Sequence, residues 1–199
     1  MVDEDEIFRR FLKLIDSAIG ILSKDVSGIK SLLSRQRLDK DLETHVLLTL
    51  NGLSHEGAFQ FSALKAHSFP DIVAEHSSGA RYGLEIKTAK KWTSKGNSVN
   101  ESTGDKSIKK IIILYCKTSD PIEFRCGLYQ DFVEKIDATH YPRYSLNMNL
   151  KDRENFFDKI NLSYEDFRKL PTKKKIKVSK DYYVDINEDK WWIIDNEKE

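Results

Sequence analysis

The chain is poor in cysteine and proline: of its 199 residues, two are cysteine and four are proline. Cys116 and Cys126 are too few for the disulfide framework of a small secreted domain, which favours a reducing, intracellular compartment. No apolar run approaches the roughly 18–20 residues of a membrane-spanning helix. The acidic residues at positions 3–6 are the opposite of the basic start of a secretory signal peptide. We therefore expect a cytoplasmic protein with no membrane partner.

Several motifs of known enzyme classes are also absent. The sequence has no GxxxxGKS or GxxxxGKT loop for cradling phosphates, which predicts that no nucleotide cofactor is bound. It has no GxSxG nucleophile elbow, and its five histidines show neither HxH nor HxxxH spacing. Cys116 and Cys126 do not form a CxxC pair, and we expect both to be inert packing thiols. These absences exclude the commonest nucleotide, serine-hydrolase and zinc chemistries.

Charge is balanced overall but segregated along the chain. The net charge is +1, which alone argues against an obligate polyanion binder. Residues 81–117, however, hold nine Lys or Arg and three acids, and residues 168–180 hold seven bases and no acid. The final stretch, 181–199, has seven acids against two lysines. Such segregation can produce a basic face on a neutral protein.

The apolar pattern predicts a mixed α/β or α+β domain. Apolar residues at steps of three and four predict helices over 7–22 and 39–51, with a second helical piece ending at 32–33. Alternation and turn signals predict strands over 59–63, 69–74, 82–88 and 124–129, with 69–74 and 82–88 as a hairpin. Residues 111–116 are apolar on both faces, which is typical of a central strand covered on both sides. This order of elements indicates a central mixed β-sheet with flanking helices.

The last third of the chain is different in character. We predict short helices over 151–160 and 163–170, strands over 176–184 and 191–194, and a loop over 89–104. No repeat or long linker divides the chain, so we predict one domain of 1–199. In it, 1–37 is an N-terminal helical extension, 38–130 is the core, and 131–199 supplies C-terminal elements.

The chemically informative segment is the predicted hairpin, which begins with Pro70-Asp71 and carries Glu85-Ile86-Lys87 on its second strand. Side chains alternate between the faces of a strand, so Leu84 and Ile86 face the core. Glu85 and Lys87 share the other face. The hairpin also allows Asp71 to approach Glu85. The pattern therefore predicts two carboxylates and one ammonium group at a common cleft.

Two converging carboxylates form an oxygen-rich site that suits Mg²⁺, which takes one or two carboxylates and keeps several waters. A charged Lys87 cannot be a ligand, but it can orient a water or offset charge on a phosphate. Together these groups predict metal-assisted hydrolysis of a phosphodiester.

These residues resemble the motif of the PD-(D/E)XK nuclease superfamily, with Pro70-Asp71 as its first half and Glu85-Ile86-Lys87 as its second. The resemblance covers about residues 38–130 and implies a restriction-endonuclease-like fold with an αβββαβ core. It also implies that Asp71 and Glu85 hold Mg²⁺, that the Ile86 carbonyl is a third ligand, and that Lys87 positions the attacking water. Many members add an acid from the preceding helix, and Glu43 is the candidate here.

Within that superfamily the chain looks most like a type II restriction enzyme of a prokaryotic cytoplasm. The resemblance implies sequence-specific cleavage of double-stranded DNA by a homodimer, because a two-fold protein matches a palindromic site. Residues 131–199 would then supply recognition or dimer contacts. The segment after the second strand combines bases with small hydroxyl and amide residues, which suits phosphate and base-edge contacts. The candidates for DNA contact are Thr88, Lys90, Lys91, Lys95, Asn97 and Ser98.

Three other interpretations stay open. The residues around Glu85 also look like the strand of mismatch-repair nicking enzymes, although the thirteen residues between Asp71 and Glu85 exceed the usual spacing there. A non-catalytic DNA-binding module would keep the fold and the basic face without turnover. An accidental motif in an unrelated α/β protein would leave the chain indifferent to DNA. No spacing predicts the recognition sequence, because base readout depends on a few side chains placed in a groove.

Overall fold

The fold is that of a computed structural model, which describes residues 3–33, 38–54, 57–65, 68–99, 105–137 and 142–185. The chain divides into two compact units. Unit 1 comprises residues 1–94 and 107–129, and unit 2 comprises residues 95–106 and 130–199. A short stretch inside the predicted core therefore belongs to unit 2. Among the described residues, no helix is long and apolar enough to cross a membrane.

Unit 1 opens with three helices, α1 (Glu4–Leu22), α2 (Val26–Leu33) and α3 (Leu38–Leu53). Asp3 caps α1, because its carboxylate accepts a 3.2 Å hydrogen bond from the Asp5 N–H group. The acidic first turn complements the positive end of the helix dipole. The predicted helices over 7–22 and 39–51 are confirmed. The buried stripe of α1 consists of Ile7, Phe8, Phe11, Ile15, Ala18 and Leu22.

The described residues contain eight strands. They are β1 (Phe59–Ala63), β2 (Ile72–His76), β3 (Arg81–Ala89), β4 (Thr93–Ser98), β5 (Ile108–Lys117), β6 (Glu123–Leu128), β7 (Val133–Asp137) and β8 (Arg143–Asn147). Five of them form the sheet of unit 1 in the order β1-β2-β3-β5-β6. The β3–β5 pair is parallel and the other pairs are antiparallel. The prediction of a central mixed sheet with flanking helices is confirmed.

The two faces of this sheet have different roles. On β3, Tyr82, Leu84 and Ile86 lie on the face covered by α1 and α3 and pack in the main apolar core. Alternation therefore places Gly83, Glu85 and Lys87 on the opposite face. Strand β5 is buried over residues 111–116, as its two-sided apolar pattern predicts. The core thus covers one face of β3, and Glu85 and Lys87 project from the other face.

The connection between β3 and β5 differs from the αβββαβ order that the resemblance implies. In that order a helix follows the third strand. The described residues of this connection, 90–99 and 105–107, instead contain strand β4 and no helix. The prediction of a loop over 89–104 is wrong for residues 93–98. Strand β4 is hydrogen-bonded in a separate three-stranded sheet of order β4-β8-β7.

The described residues of unit 2 add three α-helices, α4 (Phe156–Lys159), α5 (Tyr164–Lys169) and α6 (Thr172–Asp185). Ser163 caps α5, because its hydroxyl accepts a 3.1 Å hydrogen bond from the Asp166 N–H group. Ser163 and Asp166 have the spacing of a capping box, with Asp in place of the usual Glu or Gln. The apolar residues of this region pack as a cluster of aromatic rings, which includes Tyr144, Phe156, Phe157, Tyr164 and Phe167.

Several predictions in the last third are wrong. Residues 176–184 belong to α6 and not to a strand, because the buried residues Lys175, Ser179 and Tyr183 follow the four-residue step of a helix. The helix predicted over 151–160 is only the four residues of α4. Strands β7 and β8 were not predicted. The strand predicted over 191–194 lies outside the described residues.

Candidate active site

Asp71 lies immediately before Ile72, the first residue of β2. The strand predicted over 69–74 in fact begins at Ile72. Ile72 pairs with Leu84, and continuing this register by one residue places Asp71 opposite Glu85. The Asp71 Oδ2 atom accepts a 2.7 Å hydrogen bond from the Ile86 N–H group. The Asp71 carboxylate therefore accepts a hydrogen bond that a main-chain carbonyl would accept if β2 began earlier. This hydrogen bond fixes the carboxylate beside β3.

Glu85 is buried on the face of β3 away from the helices, with 1% of its surface exposed. One of its oxygens, Oε1, lies 2.6 Å from Lys87 Nζ. The other, Oε2, is buried and makes no hydrogen bond with the described part of the chain. Burial raises the pKa of Glu85 to about 8, with the Asp71 carboxylate adding to the increase and Lys87 opposing it. The structure thus brings Asp71, Glu85 and Lys87 together as predicted.

The backbone of Ile86 lies between the two carboxylates. In a strand, the N–H and C=O groups of one residue point to the same side. The Ile86 N–H group points to Asp71, so the Ile86 carbonyl points to the same side of β3, beyond the first residue of β2. This is the direction that the role proposed for the carbonyl requires.

Glu43 lies on α3, the helix that precedes the strands. A cavity of about 300 Å³ in unit 1 is lined by both Glu43 and Asp71. Within the described ranges, no group of three or more Asp, Glu, His or Cys side chains is placed to hold a metal ion. Asp71 and Glu85 are therefore the two acids of the candidate site, and the participation of Glu43 stays a prediction.

Gly83 explains how the start of the hairpin comes so close to β3. A Cβ atom at Gly83 would lie 2.5 Å from Pro70 Cγ and 3.2 Å from Ile111 Cγ1. Real Cβ atoms do not approach so closely, so a larger residue here would displace Pro70. Because Asp71 follows Pro70 directly, the absence of a side chain at position 83 contributes to the placement of the carboxylate.

The six predicted DNA-contact residues are not equivalent. Lys90 and Lys91 are exposed in unit 1, where Thr88 is half-buried at the end of β3. Lys95 and Asn97 lie on β4 in unit 2, and Lys95 forms an ion pair with Asp137. Ser98 is buried on the same strand, which argues against a direct contact with a ligand in solvent.

Sequence reasoning missed a group of residues next to Lys87. Across the sheet, Lys87 pairs with Tyr115 of β5, and Tyr115 pairs with Arg125 of β6. The Trp92 ring lies over this row, 5.8 Å from the Tyr115 ring and 3.9 Å from the Arg125 guanidinium. The sequence predicts a strand at β6. It does not predict that β6 pairs with β5, and this pairing brings Arg125 to the face that carries Lys87.

The remaining candidates of the sequence do not form a site. Burial raises the pKa of Cys116 to about 12 and that of Cys126 to about 11, so both thiols are neutral at physiological pH. A cavity of about 630 Å³ in unit 2 is lined by residues between Gln130 and Tyr164 and includes none of the predicted site residues.

Comparisons with known proteins add a fold-level similarity. No family model and no curated protein matches the chain. Among solved structures, the chain is similar to Hjc of Archaeoglobus fulgidus, a Holliday junction resolvase from an archaeal hyperthermophile. The two share 12% sequence identity with a TM-score of 0.37, and the similarity covers 63% of this chain and 98% of Hjc. With a similarity of this extent, the function has to be argued from the residues of the chain itself.

Proposed function

We propose that this protein is a divalent-metal-dependent DNA endonuclease that hydrolyses phosphodiester bonds. The observation that carries the proposal is the convergence of Asp71 and Glu85 at the open end of the β2–β3 hairpin, with Lys87 2.6 Å from Glu85. An exposed Glu-x-Lys is commonly an ordinary salt pair. Glu85, however, is buried, and its Oε2 atom has no hydrogen-bond partner in the described residues. Burying such a group next to a second carboxylate is unfavourable for folding, so a functional reason is favoured.

The donors at this site suit Mg²⁺. This ion prefers oxygen ligands and binds through one or two carboxylates while keeping water in its remaining positions. Asp71 and Glu85 offer the carboxylates, and the Ile86 carbonyl points to the same side of β3. We propose these three groups as ligands, with Glu43 as a further candidate across the shared cavity.

Each residue then has a distinct part in hydrolysis. When bound, Mg²⁺ supplies Lewis-acid polarisation of the scissile phosphate. Asp71 and Glu85 bind the cation, and the Ile86 N–H group holds Asp71 in place for this purpose. Lys87 is partly exposed, with 23% of its side chain accessible, so its ammonium group can donate a hydrogen bond to a water or to a phosphate oxygen. Lys87 thus orients the nucleophile and offsets negative charge.

The finer proposal is a type II restriction enzyme that acts on double-stranded DNA as a homodimer. It rests on the match of the hairpin residues to the motif of that enzyme class and on the fit of two-fold symmetry to palindromic sites. Thr88, Lys90, Lys91, Lys95 and Asn97 are the proposed DNA contacts. Sedimentation equilibrium of the full chain tests the dimer, with a mass twice the 23.1 kDa of the chain as the expected result.

Cleavage of plasmid and phage DNA tests the proposal directly. Wild type, Asp71→Ala, Lys87→Ala and the control Lys13→Ala would each be incubated with DNA in Mg²⁺ or in EDTA. Lys13 is an exposed residue of α1, which covers the other face of the sheet. We expect discrete fragments from wild type and Lys13→Ala in Mg²⁺, and intact DNA from the two site variants and from every sample in EDTA.

The other outcomes identify the rival functions. Nicked plasmid without linear product would favour a nicking enzyme. Salt-sensitive DNA binding with no cleavage of any substrate would favour a non-catalytic DNA-binding module and overturn the endonuclease proposal.

A further inference from the structure

The catalytic face of unit 1 carries a row of side chains that extends away from Lys87. Residues that pair across neighbouring strands point to the same face of a sheet. Lys87, Tyr115 and Arg125 are joined in this way by the β3–β5 and β5–β6 registers. Arg125 therefore projects from the same face as Glu85 and Lys87, two strands farther along the sheet.

An aromatic platform holds the Arg125 guanidinium. Its central carbon lies 3.9 Å from the centroid of the Trp92 ring, a close cation–π contact. The Trp92 ring in turn lies against Tyr115, at a centroid distance of 5.8 Å. Tyr115 donates a 3.0 Å hydrogen bond to the Lys91 carbonyl, which ties the segment that carries Trp92 to the sheet. The exposed guanidinium is thus held by a chain of contacts that begins on the strand next to Lys87.

The distance along this row fits a DNA strand. Neighbouring strands lie about 4.8 Å apart, so Lys87 and Arg125 are separated by about 10 Å at the backbone. Along one DNA strand a phosphate recurs about every 3.4 Å of helix rise. Because the backbone also winds around the axis, successive phosphates are farther apart than this rise, so a strand whose scissile phosphate lies at Lys87 would present a nearby flanking phosphate to Arg125. A planar guanidinium binds phosphate oxygens in a bidentate manner, and the contact with the Trp92 ring restricts where this one lies.

We infer that Arg125, held against the Trp92 ring, binds a backbone phosphate flanking the scissile one. The inference rests on the proposed endonuclease function for the identity of the substrate. Arg125 lies on β6, outside the basic segment that follows β3. It is therefore a substrate contact in addition to those proposed above. Lys90 and Lys91 are exposed in the segment that carries Trp92 and extend the positive charge of this phosphate-binding row.

Salt dependence of DNA binding tests the inference without requiring cleavage. Binding of a fluorescent 30-base-pair duplex would be measured by anisotropy in EDTA. The salt concentration would be varied from about 50 to 200 mM, because phosphate contacts have large effects on affinity in this range. The proteins are wild type, Arg125→Ala, Arg125→Lys and Arg9→Ala. Arg9 is a matched control, because it is exposed on α1 over the opposite face. Loss of one phosphate contact changes the slope of log K against log salt by about 0.9.

We expect Arg125→Ala to reduce the slope by about one and the affinity at 0.1 M salt by about 8-fold, the factor that a slope change of 0.9 gives. Arg125→Lys keeps the charge, so it should keep the slope and recover most of the affinity. Arg9→Ala should bind as wild type does. In Mg²⁺, Arg125→Ala should raise KM and leave kcat unchanged, because this contact is the same in the ground and transition states.

The two proposals fail in different ways. An Arg125→Ala slope equal to that of wild type overturns the phosphate contact, whether or not the DNA is cut. An equal loss of slope in Arg9→Ala also overturns it, because the effect would then be general charge attraction. A slope change confined to Arg125→Ala supports the contact. Intact DNA in Mg²⁺ with that slope change would overturn the endonuclease function alone.

Discussion

Two buried ionic side chains of this protein have contrasting surroundings. Glu85 in unit 1 is next to Lys87, with a second carboxylate, Asp71, opposite. Lys175 in unit 2 is fully buried on α6, and its Nζ atom makes no hydrogen bond with the described residues. The charges that act on Lys175, those of Arg168 and Lys106, are both positive. The Phe167 ring, 5.6 Å from Nζ, provides a weak cation–π contact.

The difference shows why burial of a charge alone does not identify a site. In each case burial is the first cause of a pKa shift that favours the neutral form of the side chain. Folding raises the pKa of Glu85 to about 8 and lowers that of Lys175 to about 8. Around Glu85 lie a second acid, a lysine and a backbone carbonyl. Among the described residues, Lys175 has no acid partner and no group that could take part in a reaction with it. The first arrangement has a functional explanation, whereas the second is a local cost to stability.

Glu85→Gln should produce the largest effect. It keeps the shape of the side chain and removes the carboxylate that we propose binds the metal, so DNA cleavage should fall by about 10³-fold or more. Unfolding in EDTA at neutral pH should occur at an equal or higher temperature than in wild type, because burial already favours the neutral form of Glu85 and the amide is a neutral group of the same shape. Glu75→Gln on the same hairpin is the control, since Glu75 is exposed in an ion pair with Arg81. Retained cleavage by Glu85→Gln would contradict the assignment of Glu85 as a ligand.

Gly83→Ala should produce the next effect. The new methyl group would meet Pro70 Cγ and displace the residue before Asp71. A carboxylate misplaced by about 1 Å can cost roughly 100-fold in rate, and overpacking should lower stability by about 1–3 kcal/mol. Gly20→Ala on α1 is the matched control, because a Cβ there meets no atom within 4 Å. Initial cleavage rates and thermal unfolding of both variants check this prediction, and equal rates for both would contradict it.

Metal addition should separate the two buried groups. Any ligand that binds only the folded state stabilises it, by about 2.7 kcal/mol at 100 times Kd. Mg²⁺ should therefore raise the Tm of wild type and of Lys175→Met by similar amounts, and leave Glu85→Gln unchanged. Calorimetry with Mg²⁺ and EDTA measures the difference. A Tm increase in Glu85→Gln that equals that of wild type would place the cation elsewhere.

Lys175→Met should stabilise the protein, because it replaces a buried ammonium that has no acid partner in the described part of the chain with an apolar side chain of similar length. Folding lowers the pKa of Lys175 from 10.5 to about 8, which corresponds to about 3 kcal/mol at most. Lys177→Met is the control, since Lys177 is exposed in an ion pair with Asp181 on the same helix. Denaturant unfolding at pH 7 should show a gain for Lys175→Met only.

The same variant makes the smallest prediction, a pH dependence. Between pH 8 and 10.5 the unfolded chain keeps the Lys175 proton and the folded chain has released it, so wild type gains stability as the pH rises. The advantage of Lys175→Met should therefore be complete below pH 8 and disappear by about pH 10.5. Other groups titrate in both proteins and cancel in the difference. An advantage that is constant with pH would contradict the assignment.

The sequence predicted the β2–β3 hairpin and the side chains that meet on it better than it predicted unit 2. Asp71, Glu85 and Lys87 lie on a hairpin, where turn composition and alternation are local signals that fix which side chains share a face. The row of Lys87, Tyr115 and Arg125 depends on the pairing of three strands, and that pairing is not encoded in any short window. Arg125 was therefore missed, although its strand was predicted.

Residues 176–184 show the opposite failure. Ile176 and Val178 alternate with lysines as in a strand, and the sequence alone favours that interpretation. The structure forms a helix because the residues that become buried are Lys175, Ser179 and Tyr183, two of which are polar. A helix that buries a lysine and a serine has no apolar stripe to reveal it. The burial of Lys175, a polar residue, is thus also the reason why the sequence pattern did not predict this helix.

The hydrogen bond from the Ile86 N–H group to Asp71 has a consequence for how the two halves of the motif can be separated along a chain. Both acids belong to the open end of the hairpin, and the pairing there does not depend on the turn at 77–80. Residues added to that turn, or added in pairs to the two strands, lengthen the interval between Asp71 and Glu85 and leave their juxtaposition intact. The thirteen intervening residues are therefore a record of hairpin length, and the geometry of the site is independent of it.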